Sequence, residues 1–113
     1  MEHKMKLQRE PFNMIKKGNK DIEMRLYDEK RQQIKINDVI EFTNINSNET
    51  IKCIVTNLYR YPSFKELYAA INKERLGYQI KEEATYLDME KFYNSDEIKK
   101  YGVVGIEIKR MEW

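Results

Sequence analysis

A chain of 113 residues, 41% apolar and 35% charged, suits one domain with one core, and it has no apolar run near the roughly 18 residues of a membrane span. One cysteine, Cys53, and one histidine, His3, exclude an internal disulfide and a zinc site of Cys/His spacing, and leave Ser–His–Asp or Cys–His chemistry only a histidine beside the terminus. The net charge of +2 is too small to name a nucleic-acid partner, although residues 1–35 carry ten Lys/Arg against six Asp/Glu and residues 36–113 eleven against thirteen.

Residues 3–8 alternate, with Met5 and Leu7 on one side and Lys4, Lys6 and Gln8 on the other, the pattern of a half-buried strand. Glu10 to Gly18 predicts a two-turn helix. Pro11 suits its first position, Phe12 and Ile15 share a face, Lys16 and Lys17 complement the dipole, and Gly18 fits a left-handed cap. Over residues 20–27, Ile22, Met24 and Leu26 point one way and Asp21, Glu23, Arg25 and Tyr27 the other, a second strand. Residues 28–33 are polar and read as a loop or single turn. Asn37-Asp38 is a turn pair before a strand from Val39 to Phe42, and Asn44 to Glu49 is a polar hairpin loop.

Residues 50–61 form the longest strand, with Ile51, Cys53 and Val55 on one face and Cys53 as a small buried hydrophobe. Pro62 stops it, because proline donates nothing to the ladder. Ser63 and Glu66 predict a capping box for a helix carrying Phe64, Leu67, Tyr68 and Ile71, in a helical region that ends at Gly77. Residues 85–101 read as two helical stretches, one begun by Thr85 or Asp88 and the other capped by Ser95; Gly102 ends the second. Val103 to Ile108 is a last strand, in which Gly105 marks a bulge or a close backbone approach. The order β-α-β-β-β-α-α-β predicts one α+β domain over residues 1–113. Its mainly antiparallel sheet of five or six strands would protect its edges by closing into a small barrel. Trp113 is expected to cap that barrel or to stay disordered.

Lys20, Glu23 and Arg25 carry the chemistry. Glu23 and Arg25, two apart on a strand, share a face, and Lys20 sits at the helix-to-strand handover within reach of it. Arginine holds a phosphate or carboxylate bidentately. Lysine supplies a point charge, or a base if burial depresses its pKa, and glutamate accepts protons or binds a base edge. The alternative is a surface ion pair worth about 0–1 kcal/mol. Tyr59, Arg60 and Tyr61 interleave aromatic and basic groups beside Pro62, the pattern of base stacking and phosphate contact, with Tyr61 and Tyr68 the candidates for stacking. Ordinary packing explains them equally well. Lys30 and Arg31 would extend a phosphate track or lie in a solvated loop.

The segment Gly18-Asn19-Lys20-Asp21-Ile22-Glu23-Met24-Arg25-Leu26 resembles the signature Gly-x-Lys-x-x-Glu-x-Arg of the ASCH domain family. Pro11-Phe12 with Ile15 resembles the helix before that signature. Asn37-Asp38 with Ile40 and Phe42 resembles the family's Gly-Asp turn and strand, with asparagine in place of glycine, a residue that tolerates the left-handed conformation. Ser63-Phe64 with Leu67 resembles the helix after the long strand, and Tyr101-Gly102-Val103 with Ile106 the closing strand, so the likeness covers nearly the whole chain.

The resemblance implies a PUA-like barrel with the signature residues lining a cleft that binds RNA or nucleotides. One branch of the family hydrolyses the amide of acetylated cytidine, with a nucleophilic threonine where this chain has Glu23. A carboxylate there would act as a general base on water instead, and Glu74 is the counterpart of that branch's distant glutamate. Another branch is a ribonuclease using a tyrosine, a lysine and a serine; Lys20, Tyr27 and Ser63 are available residue types for it.

Three functions follow. The first is a cytoplasmic binding module for RNA or a modified nucleotide, with Lys20, Glu23, Arg25, Tyr61 and Tyr68 as ligand-binding residues. The second is a small hydrolase of a nucleoside amide or an RNA phosphodiester, with Lys20, Glu23 and Glu74 as catalytic residues. The third is a regulatory protein-interaction module. None calls for a metal or another cofactor, and each is compatible with a monomer or a small homo-oligomer.

Overall fold

The alternation near the start of the chain forms strand β1 (Glu2–Leu7), which buries Met5 and Leu7 and exposes Lys4 and Lys6 in the computed structural model, which describes residues 1–111. Helix α1 (Arg9–Lys17) follows and buries Phe12 and Ile15. It starts two residues before Pro11, which therefore stands third in the helix rather than first. Gly18 ends it at φ 83°, its N–H donating to the Ile15 carbonyl at 3.1 Å and that of Asn19 to Met14 at 2.8 Å. This double bond pattern is a Schellman cap. The Met14 carbonyl also receives the Lys20 N–H at 3.2 Å, so the cap delivers the chain directly into β2 (Ile22–Leu26).

A 3-10 turn at Arg31–Gln33 leads to strands β3 (Val39–Asn44) and β4 (Thr50–Tyr61), with Asn37 in the left-handed turn at φ 77°. Asp38 gathers the first strand at this corner. Its carboxylate lies 2.8 Å from His3 Nε2 and accepts the Lys35 N–H at 3.0 Å. The His3 bond, with the Lys35 amide and the terminal ammonium, holds its pKa down at about 2 against some desolvation. Helix α2 (Phe64–Ala70), a 3-10 turn at Lys73–Leu76, helices α3 (Leu87–Glu90) and α4 (Ser95–Tyr101), and strand β5 (Val103–Arg110) complete the chain.

The strands form one sheet in the order β1-β3-β4-β5-β2. The β1–β3 pair is parallel and the other three pairs are antiparallel, so the fold is α+β with a mixed sheet, curled into a half-barrel. The curl brings the two edge strands together: Arg25 on β2 donates from Nη2 to the Lys6 carbonyl on β1 at 3.2 Å. Inside the curl, α1 packs Phe12 and Ile15 with Ile40, Phe42, Val55, Val104 and Ile106. On the outer face Ile22, Met24, Leu26 and Val103 pack under Phe64, Leu67 and Ile98. Burial of each such side chain contributes about 1.5–3 kcal/mol.

Two further local expectations are corrected, and the choice left open at Gly105 is decided. Ser63 stands at the N-cap of α2, but its hydroxyl donates to the Glu66 carboxylate and its oxygen accepts no backbone N–H of the first turn, as a capping box would require. The cap of α4 is Asn94, whose Oδ1 accepts the Glu97 N–H at 2.8 Å, and Ser95 is the first helical residue. The bulge lies in β4, where Val55 pairs with Ile108 and Asn57 with Glu107, leaving Thr56 extra. Gly105 is instead a close approach, since a Cβ there would stand 3.1 Å from an Ile22 methyl carbon. Trp113 lies outside the described residues.

Candidate functional site

Residue alternation sends Glu23 and Arg25 to the concave side of β2, where they lie opposite Ile106 and Val104 of β5. Because β2 is an edge strand, both side chains reach the seam between β2 and β1. Lys20 enters from the Schellman cap. Its neighbour Asp21 is clamped from the other side: the Asp21 N–H donates to the Arg75 carbonyl at 3.1 Å, and Arg75 holds the Asp21 carboxylate with two bonds of 3.0 Å. Arg75 also donates to Glu107 at 2.6 Å. The backbone on both sides of Lys20 is therefore pinned before any ligand arrives.

Lys20 Nζ lies 3.1 Å from Glu23 Oε1, and Arg25 Nε donates to Glu23 Oε2 at 2.8 Å. The side chains of Lys20 and Glu23 are 9% and 6% exposed, against 0–1 kcal/mol surface pairs that sit in water. This is a buried triad, one carboxylate between two cations. Burial pushes the Glu23 carboxyl up, but the charges of Lys20 and Arg25 and their bonds to it together hold it below the usual carboxylate range. Glu23 is thus ionised, and the triad carries one net positive charge.

The triad opens on a cavity of about 350 Å³ between the sheet seam and the segment around α3. Leu7, Pro11 and Met24 form its apolar wall, and Met89, Phe92 and Tyr93 its roof. Tyr93 stacks on Phe64 with ring centroids 5.6 Å apart. Burial raises its phenol pKa, with the charges of Arg25 and Glu23 also acting on it. The roof segment is fastened by tyrosines: Tyr78 donates to Asp88 at 2.7 Å, and the Tyr68 and Tyr78 hydroxyls lie 2.9 Å apart.

Of the residues singled out in the sequence, the fold brings Lys20, Glu23 and Arg25 together and sets the others elsewhere. Glu74 lines a separate cavity of about 620 Å³ with Met14, Asn19 and Tyr78, and it does not border the triad's cavity. Tyr61 lines a third hollow beside α4. Tyr68 is engaged with Tyr78, and Lys30 is exposed. Arg31 pairs with Asp28 at 3.0 Å. Tyr93 and the Arg75 clamp escaped the sequence reading. Tyr93 stands one helical turn after Met89, a spacing that marks a helix face and no site, and the Asp21–Arg75 contact spans 54 positions.

Comparison with known proteins bears on the family and the fold. A family model described as ASCH domain matches residues 5–112. The crystal structure of hypothetical protein PH0355 superposes with a TM-score of 0.83 at 37% identity, covering 98% of this chain and 100% of that one. The solution NMR structure of protein PF0455 from Pyrococcus furiosus gives a TM-score of 0.78 at 39% identity, with both chains covered in full. Among the curated proteins none matches this chain.

Proposed function

The chain belongs to the ASCH domain family, and on that premise we propose that it binds RNA or a nucleotide in the cleft of Lys20, Glu23 and Arg25. The observation that carries the reading is the buried triad, whose single surplus positive charge faces a cavity large enough for one nucleoside-sized group. Arg25 spends Nε on Glu23 and Nη2 on Lys6, which fixes its plane and leaves donors for a phosphate or carboxylate oxygen. Tyr93 and Phe92 supply aromatic surface for a base. The cleft's small net charge favours one nucleotide unit or a short single strand over a long duplex.

The hydrolase reading is the alternative, with Glu23 as base and Lys20 as its partner. It is weaker because both Glu23 oxygens are engaged and its lowered pKa makes it a poor proton acceptor near neutrality. Glu74, its third member, borders another cavity.

A thermal-shift screen tests binding. Wild type and Arg25→Lys are compared against nucleosides, acylated cytidines, mononucleotides and short single-stranded RNAs. Lysine keeps the charge beside Glu23 but loses the fork. A ligand at 100 times its Kd adds about 2.7 kcal/mol, roughly 10 °C or more in a domain of this size. The expected result is a stabilising ligand for wild type whose effect is largely lost in a folded Arg25→Lys. No stabilisation by any member of the panel would contradict the proposal.

A further inference from the structure

The motif Tyr59-Arg60-Tyr61 lies outside the triad's cavity, and the fold gives it a place of its own. Tyr61 closes the end of β4 beside the last turn of α4, where a hollow of about 410 Å³ is lined by Arg60, Tyr61, Lys99, Lys100 and Tyr101 with backbone of Gly102. Three of these are cations, no carboxylate lines the hollow, and among the described residues none of the three forms an ion pair. All three are exposed. On the hollow's rim, Glu29 accepts the Tyr101 hydroxyl at 3.0 Å. Lys100 Nζ stands 5.0 Å from the Tyr101 ring centroid, so the aromatic and cationic groups are interleaved in space as well as in sequence.

This hollow and the cleft are separate cavities, and residues of the sheet span the distance between them. Arg25 on β2 and Arg60 on β4 are both in register with Val104 of β5. They stand two strand spacings apart, about 10 Å at their Cα atoms. Tyr27, just past the end of β2 and packed against the same cluster as Val104, carries the Arg60 guanidinium 4.1 Å above its ring. A row of Arg25, Tyr27 and Arg60 therefore joins the buried triad to the exposed cations.

We propose that this hollow is a second anion site, taking phosphates of a single-stranded nucleic acid whose neighbouring nucleotide occupies the Lys20–Glu23–Arg25 cleft. The ligand is then an oligonucleotide and not a lone mononucleotide. The inference rests on the nucleotide reading of the cleft. Unpaired cations with interleaved tyrosines, on a surface reached from the cleft along one row, match a backbone that carries a charge at every step and bases that stack. Lysines at a helix C-terminus also complement the helix dipole, but that role explains neither Arg60 nor its seat on Tyr27.

The test measures fluorescence anisotropy of a labelled ten-nucleotide single-stranded RNA across salt concentrations, alongside binding of a ribonucleoside monophosphate. Wild type is compared with Arg60→Gln/Lys99→Gln/Lys100→Gln, with Lys99→Gln/Lys100→Gln as the variant that leaves the Tyr27 contact in place, and with Arg25→Lys. The triple variant is expected to bind the oligonucleotide at least 10-fold more weakly at low salt while holding the monophosphate as wild type does. Each lost phosphate contact lowers the slope of log affinity against log salt by about 0.7 for single strands, so a drop of about 2 is expected for the triple variant and over 1 for the double. Unchanged affinity and slope in the triple variant, with binding lost in Arg25→Lys, would overturn the second site and leave the cleft reading standing. A poly-glutamate peptide that binds as tightly and loses as much would overturn the nucleic-acid assignment. Wild type binding neither RNA nor monophosphate would overturn both readings together.

Discussion

Replacing Lys20 with methionine is expected to destabilise the fold by about 3 kcal/mol, because it strips one partner from a carboxylate that is already out of water. For a domain near 100 residues this lowers Tm by roughly 15 °C. Methionine keeps most of the stem volume, so the loss reports charge and not packing. The companion variant Lys20→Met/Glu23→Leu removes the buried charge along with its partner. It should recover to within about 1 kcal/mol of wild type, since removing both members of a buried pair is often neutral. Arg25 tolerates this because it keeps the Lys6 carbonyl and is 15% exposed. Both variants should lose the ligand.

Acid separates the two energies further. In wild type the Glu23 pKa is depressed from 4.5. Its contribution to stability is therefore complete above about pH 4.5 and lost as pH falls through the lower folded value. Without Lys20, desolvation has one less opponent and the carboxyl shifts upward. The stability gap between wild type and Lys20→Met should narrow as pH is lowered from 7 to 4. Chemical denaturation at several pH values measures this. A single-variant cost under 1 kcal/mol, constant with pH, would mean that Glu23 is not held by Lys20.

The second large effect lies at Gly102, where α4 turns into β5. Its backbone sits at φ 70° and ψ −171°, a region almost confined to glycine. A Cβ there would stand 2.9 Å from the Tyr61 carbonyl oxygen, a backbone atom of β4 that cannot swing aside. Gly102→Ala is expected to cost about 3 kcal/mol, the strain and the displacement of the strand together. Gly18 is the control. It has φ 83° but nothing within 4 Å of an added Cβ, so Gly18→Ala should cost only about 1 kcal/mol of left-handed strain. Urea denaturation compares the two, and equal costs would show that the contact with Tyr61 contributes nothing.

Local chemistry made most of the elements legible. Alternation marked β1 and β2, Gly18 and Gly102 marked helix ends, and Pro62 marked the end of β4. The parallel pairing of β1 with β3 was not legible, because alternation states which face a strand buries and not which strand lies beside it. The same limit hid the burial of Glu23. Period two assigns Glu23 and Arg25 to a polar face, and only the curl of the sheet, which brings β1 up to β2, turns that face into a cleft. The signature positions were identified by their resemblance, whereas Tyr93 borders the same cavity as Glu23 and Arg25 across about 70 positions of sequence, a proximity that no local pattern encodes. Tyr61, in its aromatic and basic pattern, and Tyr68 were candidates for stacking, and the fold seats the first in the basic hollow and the second in a tyrosine pair.

Nucleotide binding at the triad is tested most directly by titrating ¹⁵N-labelled protein with each ribonucleoside monophosphate and a short single-stranded RNA while following the amide resonances. Saturable shifts at residues 20–26 and 89–93 with a monophosphate, absent in Arg25→Lys, and the same segments shifting with the RNA, are the expected result. No saturable shift with any of these ligands, or shifts that leave both segments untouched, would contradict it.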